Sequence, residues 1–166
     1  GDFAMIMGFP GSTDRFLSSF GVKQAVELDQ PKRVELRADK LAIMKRYMDQ
    51  DENVHLKYAS KYAQVANYWK YFIGQTEQLK RNNVQGKKEA LEAEFAAFAK
   101  SNPEYANVLK DLEESYKVMD KYNAFSVFIN EAIFSVDVNL FAYRMLGLGA
   151  ALEKGDGGPC LPGNGR

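Results

Sequence analysis

VHLKYASKYAQVANYWKYFIGQTEQL, residues 54–79, carries two different stripes at helical spacing. Val54, Tyr58, Tyr62, Val65, Trp69, Phe72 and Leu79 recur at steps of three, four and seven, the pattern of a helix face packed on other helices. About half a turn away run Ser60, Gln64, Asn67, Tyr71, Gly74 and Gln78, polar but uncharged. Faces open to bulk solvent usually fill with Lys and Glu. A neutral stripe of this kind suits a surface that looks across a cleft.

Working outward, the same periodicity predicts further helices on both sides. Pro31 suits a first helical position, and Val34, Leu41, Met44 and Met48 then form an apolar stripe ending at Asp49-Gln50-Asp51, with Asp51 placed to cap the 54–79 helix. A third helix spans about 84–100, with Leu91, Phe95 and Phe98 inward. Ser101-Asn102-Pro103 stops it, since Pro cannot continue one helix but can open the next. The fourth carries Tyr105, Val108, Leu112, Tyr116 and Met119, and Tyr122-Asn123 reads as a kink. Residues 125–146 are apolar nearly all round, as in a helix at the middle of a bundle. The expectation is all-α: an antiparallel bundle of four or five helices over 31–154, with Trp69, Phe72, Phe95, Phe98, Phe128 and Phe141 in its core. Residues 155–166, GDGGPCLPGNGR, are dense in Gly and Pro and read as a disordered tail.

The N-terminal part, 1–30, reads differently. FAMIMGF, residues 3–9, is too short for a helix and has the character of a strand buried on both faces. A lone strand leaves its N–H and C=O groups unpaired, so its partners are expected in strands this sequence lacks. A turn over residues 8–13 and a connector, loop or short helix at 16–26, follow. The chain thus reads as a fragment, a lone strand and connector joined to a helical domain.

Composition bounds the function classes. With 166 residues and 46% hydrophobic side chains the chain can bury one core, and no run suits a membrane span. Lys plus Arg and Asp plus Glu both number 22, leaving no basic excess to favour nucleic acid. The single Cys, Cys160, allows no internal disulfide. A Ser-His-Asp triad needs a His, and the only one, His55, lies on a helix with no Ser in an exposed elbow nearby. Glu52 and His55 have the Glu-x-x-His spacing of di-iron bundles, but such a site needs a second pair. Gly8 to Thr13 lacks the Lys of a phosphate loop. The acidic residues around Glu92 and Glu113 are interspersed with Lys and read as solvated faces. No catalytic constellation, metal site or cofactor is implied.

GDFAMIMGFPGSTDRF, residues 1–16, and YASKYAQVANYWKYFIGQ, residues 58–75, resemble two segments of the bacterial dipeptidyl-peptidase 7/11 family, in the right order and spacing. These are serine exopeptidases with a chymotrypsin-like double β-barrel interrupted by a large helical domain. The resemblance covers about residues 1–150. It implies that FAMIMGF belongs to the first barrel and that the helices cap the active-site cleft. The catalytic His and Asp would lie upstream and the Ser far downstream, so none of the three falls in this chain. Asn67 matches the helical-domain Asn that holds the free α-amine of the substrate, and it lies on the polar stripe. The resemblance further implies peptide substrates with a free N-terminus, the catalytic barrel of the same parent chain as partner, and a periplasmic or secreted location; a homodimeric parent is compatible with it. The family's helical domain is longer than the one here, so the sequence reads as truncated or as running into unrelated residues near its end. The competing class is a stand-alone helical module binding a protein partner through an apolar groove.

Overall fold

The computed structural model describes residues 2–5, 7–9 and 13–153. Residues 10–12 of the expected turn and the Gly/Pro-rich tail with Cys160 lie outside the described residues. The fold is all-α, as the periodicity predicts, and consists of five helical rods. The first is α1 (Ser19–Gln24) running through a π-helical turn (Ala25–Asp29) into α2 (Gln30–Met48). Then come α3 (Glu52–Arg81), α4 (Val84–Lys100), α5 (Val108–Phe128) with its own π turn (Ile129–Ile133), and α6 (Asp137–Glu153). No single helix among the described residues is long and apolar enough to cross a membrane.

The first rod is longer than Pro31 suggests. It starts at Ser19, where the Ser18 side chain accepts a hydrogen bond from the Gly21 N–H, and Pro31 sits inside the continuous helix. A proline in a helix lacks the N–H and its ring crowds the carbonyl four residues back. Here the ladder widens just before it: the Gln30 N–H bonds to Ala25 O, a five-residue step, which lets the helix absorb the proline instead of ending there.

This rod is the spine. Its α1 half lies against α4 and α5, while its α2 half pairs with α3 along most of its length and also meets the π turn after α5. A three-residue link makes α2 and α3 an antiparallel hairpin. Phe20 meets Tyr116 of α5, with ring centroids 6.3 Å apart, and buried Ser19 donates from N and Oγ to the Glu92 carboxylate of α4 at 2.7 and 2.5 Å. At the α3–α4 corner Asn83 takes the left-handed conformation, φ 46°, and its side chain accepts from the Gly86 N–H.

The core is smaller than the sequence suggests and is placed elsewhere. Val22, Val26, Leu41, Met48, Ala99 and Val127 are buried. Trp69, Phe72 and Phe95 are half-buried, whereas Phe98, Phe128 and Phe141 are 54%, 49% and 62% exposed, so these three are not core residues. Leu91 is exposed too. For Phe128 and Phe141 the cause is the end of α5. The apolar run 125–146 is not one central helix: it breaks at the π turn and Ser135, and α6 leaves at 98° to the segment before it. The apolar faces of α5 and α6 therefore meet little of the rest of the chain. Tyr105 belongs to a 3₁₀ turn, Pro103–Tyr105, and not to the fourth helix.

No strand forms among the described residues. Residues 2–5 and 7–9 have no regular structure, and Phe3, Met7 and Phe9 are largely exposed. A strand takes its hydrogen bonds from a neighbour, and among the described residues none is present for residues 3–5 and 7–9 to pair with.

Candidate functional site

The candidate surface is the outer face of α3. Asp51 starts this helix as the spacing predicts: its side chain accepts from the Asn53 and Val54 N–H groups at 2.7 and 3.4 Å. The polar stripe is where the helical wheel puts it. Ser60, Gln64, Asn67, Tyr71 and Gln78 are exposed, and a Cβ at Gly74 would meet nothing within 4 Å. Asn67 stands between Gln64 and Tyr71, about one turn from each. His55 is an exposed helix-surface residue, as is Glu52.

The flank of α3 beside this stripe is held by an ion cluster. Arg33 and Arg37, one turn apart on α2, both reach Glu131 Oε1, at 2.9 and 2.8 Å. Their guanidinium groups also lie over α3 aromatics: Arg33 over Phe72 at 5.7 Å, Arg37 over Tyr68 and Phe72 at 5.4 Å each. Glu131 is only 4% exposed. A carboxylate buried this far needs such partners, since desolvating it unpaired costs several kcal/mol. Lys40 Nζ donates to the Glu131 carbonyl at 2.9 Å and to Ser135 Oγ, satisfying backbone that the π turn leaves free. Lys61 of α3 pairs with Asp137 at the start of α6.

The electrostatics follow from this packing. Burial pushes the Lys40 ammonium below the ordinary lysine range; Glu131 counteracts that, while Arg37 and Lys61 add to it. For Arg33 burial acts in the same direction, but the hydrogen-bonded carboxylates of Asp29 and Glu131 outweigh it and raise its pKa. Arg33, Arg37 and Lys61 each have a carboxylate partner and Lys40 has two oxygen acceptors. The cluster is thus a clamp that fixes the azimuth of α3. It is not a proton-transfer site.

This clamp was the least visible feature in the sequence. Arg33, Arg37 and Lys40 recur at steps of four and three, which resembles a solvated basic stripe. The available signal was Glu131, a lone acid inside the apolar run FINEAIF, residues 128–134.

A second polar connection crosses the α2–α3 interface. Buried Gln30 donates from Nε2 to Gln75 Oε1 at 2.5 Å and accepts from the Thr76 hydroxyl. Gln75 Nε2 in turn donates to the Tyr71 hydroxyl at 2.7 Å. The Asn67 face is thereby tied, through Tyr71, to the interior. A separate cleft of about 640 Å³ opens between α1, α4 and α5, with Glu92, Glu113 and Asp120 on its walls. Its best-placed acid, Glu92, is occupied by Ser19.

The sequence profile of the peptidase S46 family matches residues 1–158. The chain belongs to the peptidase S46 family. This S46 chain is 44% identical over 136 residues to dipeptidyl-peptidase 7 of Porphyromonas gingivalis, a match covering 80% of the chain and 19% of that protein. It is 37% identical over 161 residues to the Asp/Glu-specific dipeptidyl-peptidase of Capnocytophaga gingivalis, covering 94% and 23%. Against dipeptidyl-peptidase 7 of Porphyromonas endodontalis the identity is 45% over 119 residues, covering 70% and 14%. The chain thus spans about a fifth of the length of the first two of these curated relatives. Both of these dipeptidyl-peptidase 7 relatives are more similar to the chain than the Asp/Glu-specific one is. The resemblance read from residues 1–16 and 58–75 holds at the level of the family.

Proposed function

We propose that this chain is the substrate-facing helical part of a serine dipeptidyl peptidase that removes dipeptides from the free N-terminus of peptides, and that Asn67 binds the substrate's α-ammonium group. One observation supports this most directly: Asn67 is exposed, in the middle of a neutral polar stripe, on a helix clamped along the neighbouring flank by the Glu131 cluster. A helix held in that way keeps its outer groups at fixed positions, which is what a binding surface requires. The Asn67 amide oxygen accepts from the ammonium; the negative groups that complete such a site, and the nucleophile, belong to the catalytic β-barrel of the parent chain. Apolar side chains left exposed on α5 and α6, Phe125, Phe128 and Phe141 among them, are of the kind that contact with such a domain covers. Periplasmic or secreted location and a peptide substrate follow from the same reading.

The test uses the full-length protein. A hydrogen bond to a charged group is worth about 1.5–3 kcal/mol, so Asn67→Ala is expected to lower kcat/KM by roughly one to two orders of magnitude. KM should rise, and kcat should fall as well, because an exopeptidase measures its dipeptide from that amine. N-blocked substrates should show no difference between variant and wild type. Equal losses on free and blocked substrates would assign Asn67 to helix support, and unchanged kinetics would remove it from the site.

A further inference from the structure

Tyr71 lies one turn beyond Asn67 on the same face, half exposed, and its hydroxyl is not left to solvent alone. The polar connection beneath it has a direction. The Thr76 hydroxyl donates to Gln30 Oε1, Gln30 Nε2 donates to Gln75 Oε1, and Gln75 Nε2 donates to Tyr71 Oη. Buried Gln30 anchors it, since an amide with so little solvent contact needs protein partners for both ends. At the outer end the Tyr71 oxygen serves as acceptor to Gln75, which leaves its own hydrogen available to a group outside the helix. The residues bearing two complementary groups are then about 6 Å apart along the axis of α3: Asn67 with its amide oxygen and Tyr71 with its O–H donor. A peptide's N-terminus offers the matching pair, an ammonium donor followed by a carbonyl acceptor.

We propose that Tyr71 is a second substrate-binding residue, its hydroxyl donating to the first backbone carbonyl of the peptide held at Asn67, with Gln75 and Gln30 as positioning residues behind it. This rests on the reading that the polar face of α3 meets the substrate. The first carbonyl is not the scissile one in a dipeptidyl peptidase, so the bond aligns the substrate without touching the reacting atoms. Tyr71 thus adds to the register that Asn67 begins.

The experiment measures kcat/KM of the full-length protein on free-amine dipeptidyl chromogenic substrates, in normal form and with a thioamide at the first peptide bond. Sulfur there is a weaker acceptor than oxygen, and the scissile bond is unchanged. Tyr71→Phe is expected to lower kcat/KM about tenfold on the normal substrate, the factor of one hydrogen bond. The thioamide should cost the wild type severalfold and the Tyr71→Phe enzyme nothing further. Gln75→Leu, which keeps the hydroxyl but frees it to rotate, should give a smaller loss in the same direction. Tyr71→Phe kinetics equal to wild type would overturn the proposal. So would a thioamide penalty identical in both enzymes, the result expected if the hydroxyl donates inward to Gln75 instead. Thioamide coupling to Tyr71 together with unchanged Asn67→Ala kinetics would sink the Asn67 assignment and leave this one standing; the reverse pattern would sink this one alone.

Discussion

Glu131 joins several parts of the structure: two arginines of α2 on its carboxylate, a lysine on its carbonyl, and through the arginines the aromatic face of α3. Removing one partner of a buried ion cluster leaves uncompensated charge, at a cost of about 3–5 kcal/mol. Glu131→Ala should therefore destabilise the chain by about that amount, read as a shift of the urea midpoint at unchanged slope. A shift no larger than an ordinary surface substitution, within about 0.5 kcal/mol, would mean that Arg33 and Arg37 find other partners. At this scale the sequence showed Asn67 and its stripe but hid the clamp. A stripe is one helix's own periodicity, whereas the clamp joins positions about 95 residues apart, Arg33 to Glu131 and Arg37 to Glu131. Burial of Phe98, Phe128 and Phe141 was misjudged for a related reason. Periodicity tells which face of a helix is apolar, and only tertiary packing tells whether that face has a partner.

Elements were more legible than their partners. The bounds of α4 and the Asp51 start of α3 match the expected ones because Asn83, Pro103 and Asp51 are local signals that act within one turn. The same locality makes Asp51 a clean test. An N-cap aspartate replaced by alanine loses about 1 kcal/mol, so Asp51→Ala should lower Tm by a few degrees, while Asp51→Ser restores most of it. If neither variant moves Tm, α3 is set by its contacts with α2 and not by its cap. The start of the first rod was missed at Ser18, a good cap residue, because Pro31 offered a stronger signal for a start twelve positions later. Proline marks a helix start only when the ladder before it does not adapt, and here it did.

As a whole the molecule displays a helical scaffold with exposed apolar faces on α5 and α6 and no assembled catalytic group among the described residues. Peptide hydrolysis needs an activated nucleophile and an oxyanion hole, and the exposed His55 on α3 supplies neither. The purified chain is expected to turn over no dipeptidyl chromogenic substrate; turnover that disappears in His55→Ala would reverse that conclusion. The family could be read from two short segments because their order and spacing survive in one dimension. The overall shape could not, because it depends on two π turns that no periodicity announces. The first of them has a geometric effect on the entire chain. In a uniform α-helix Ser19, Val22, Leu41 and Met48, advancing about 100° per residue, would spread over a sector of about 100°. A π-helical turn rotates less per residue than an α-helix, so the Ala25–Asp29 turn sets everything after it back by roughly 100° and brings Leu41 and Met48 round to the side of Val22. The rod thus keeps one buried sector along its length and divides it end to end between neighbours, with α4 and α5 against its first part and α3 against its second.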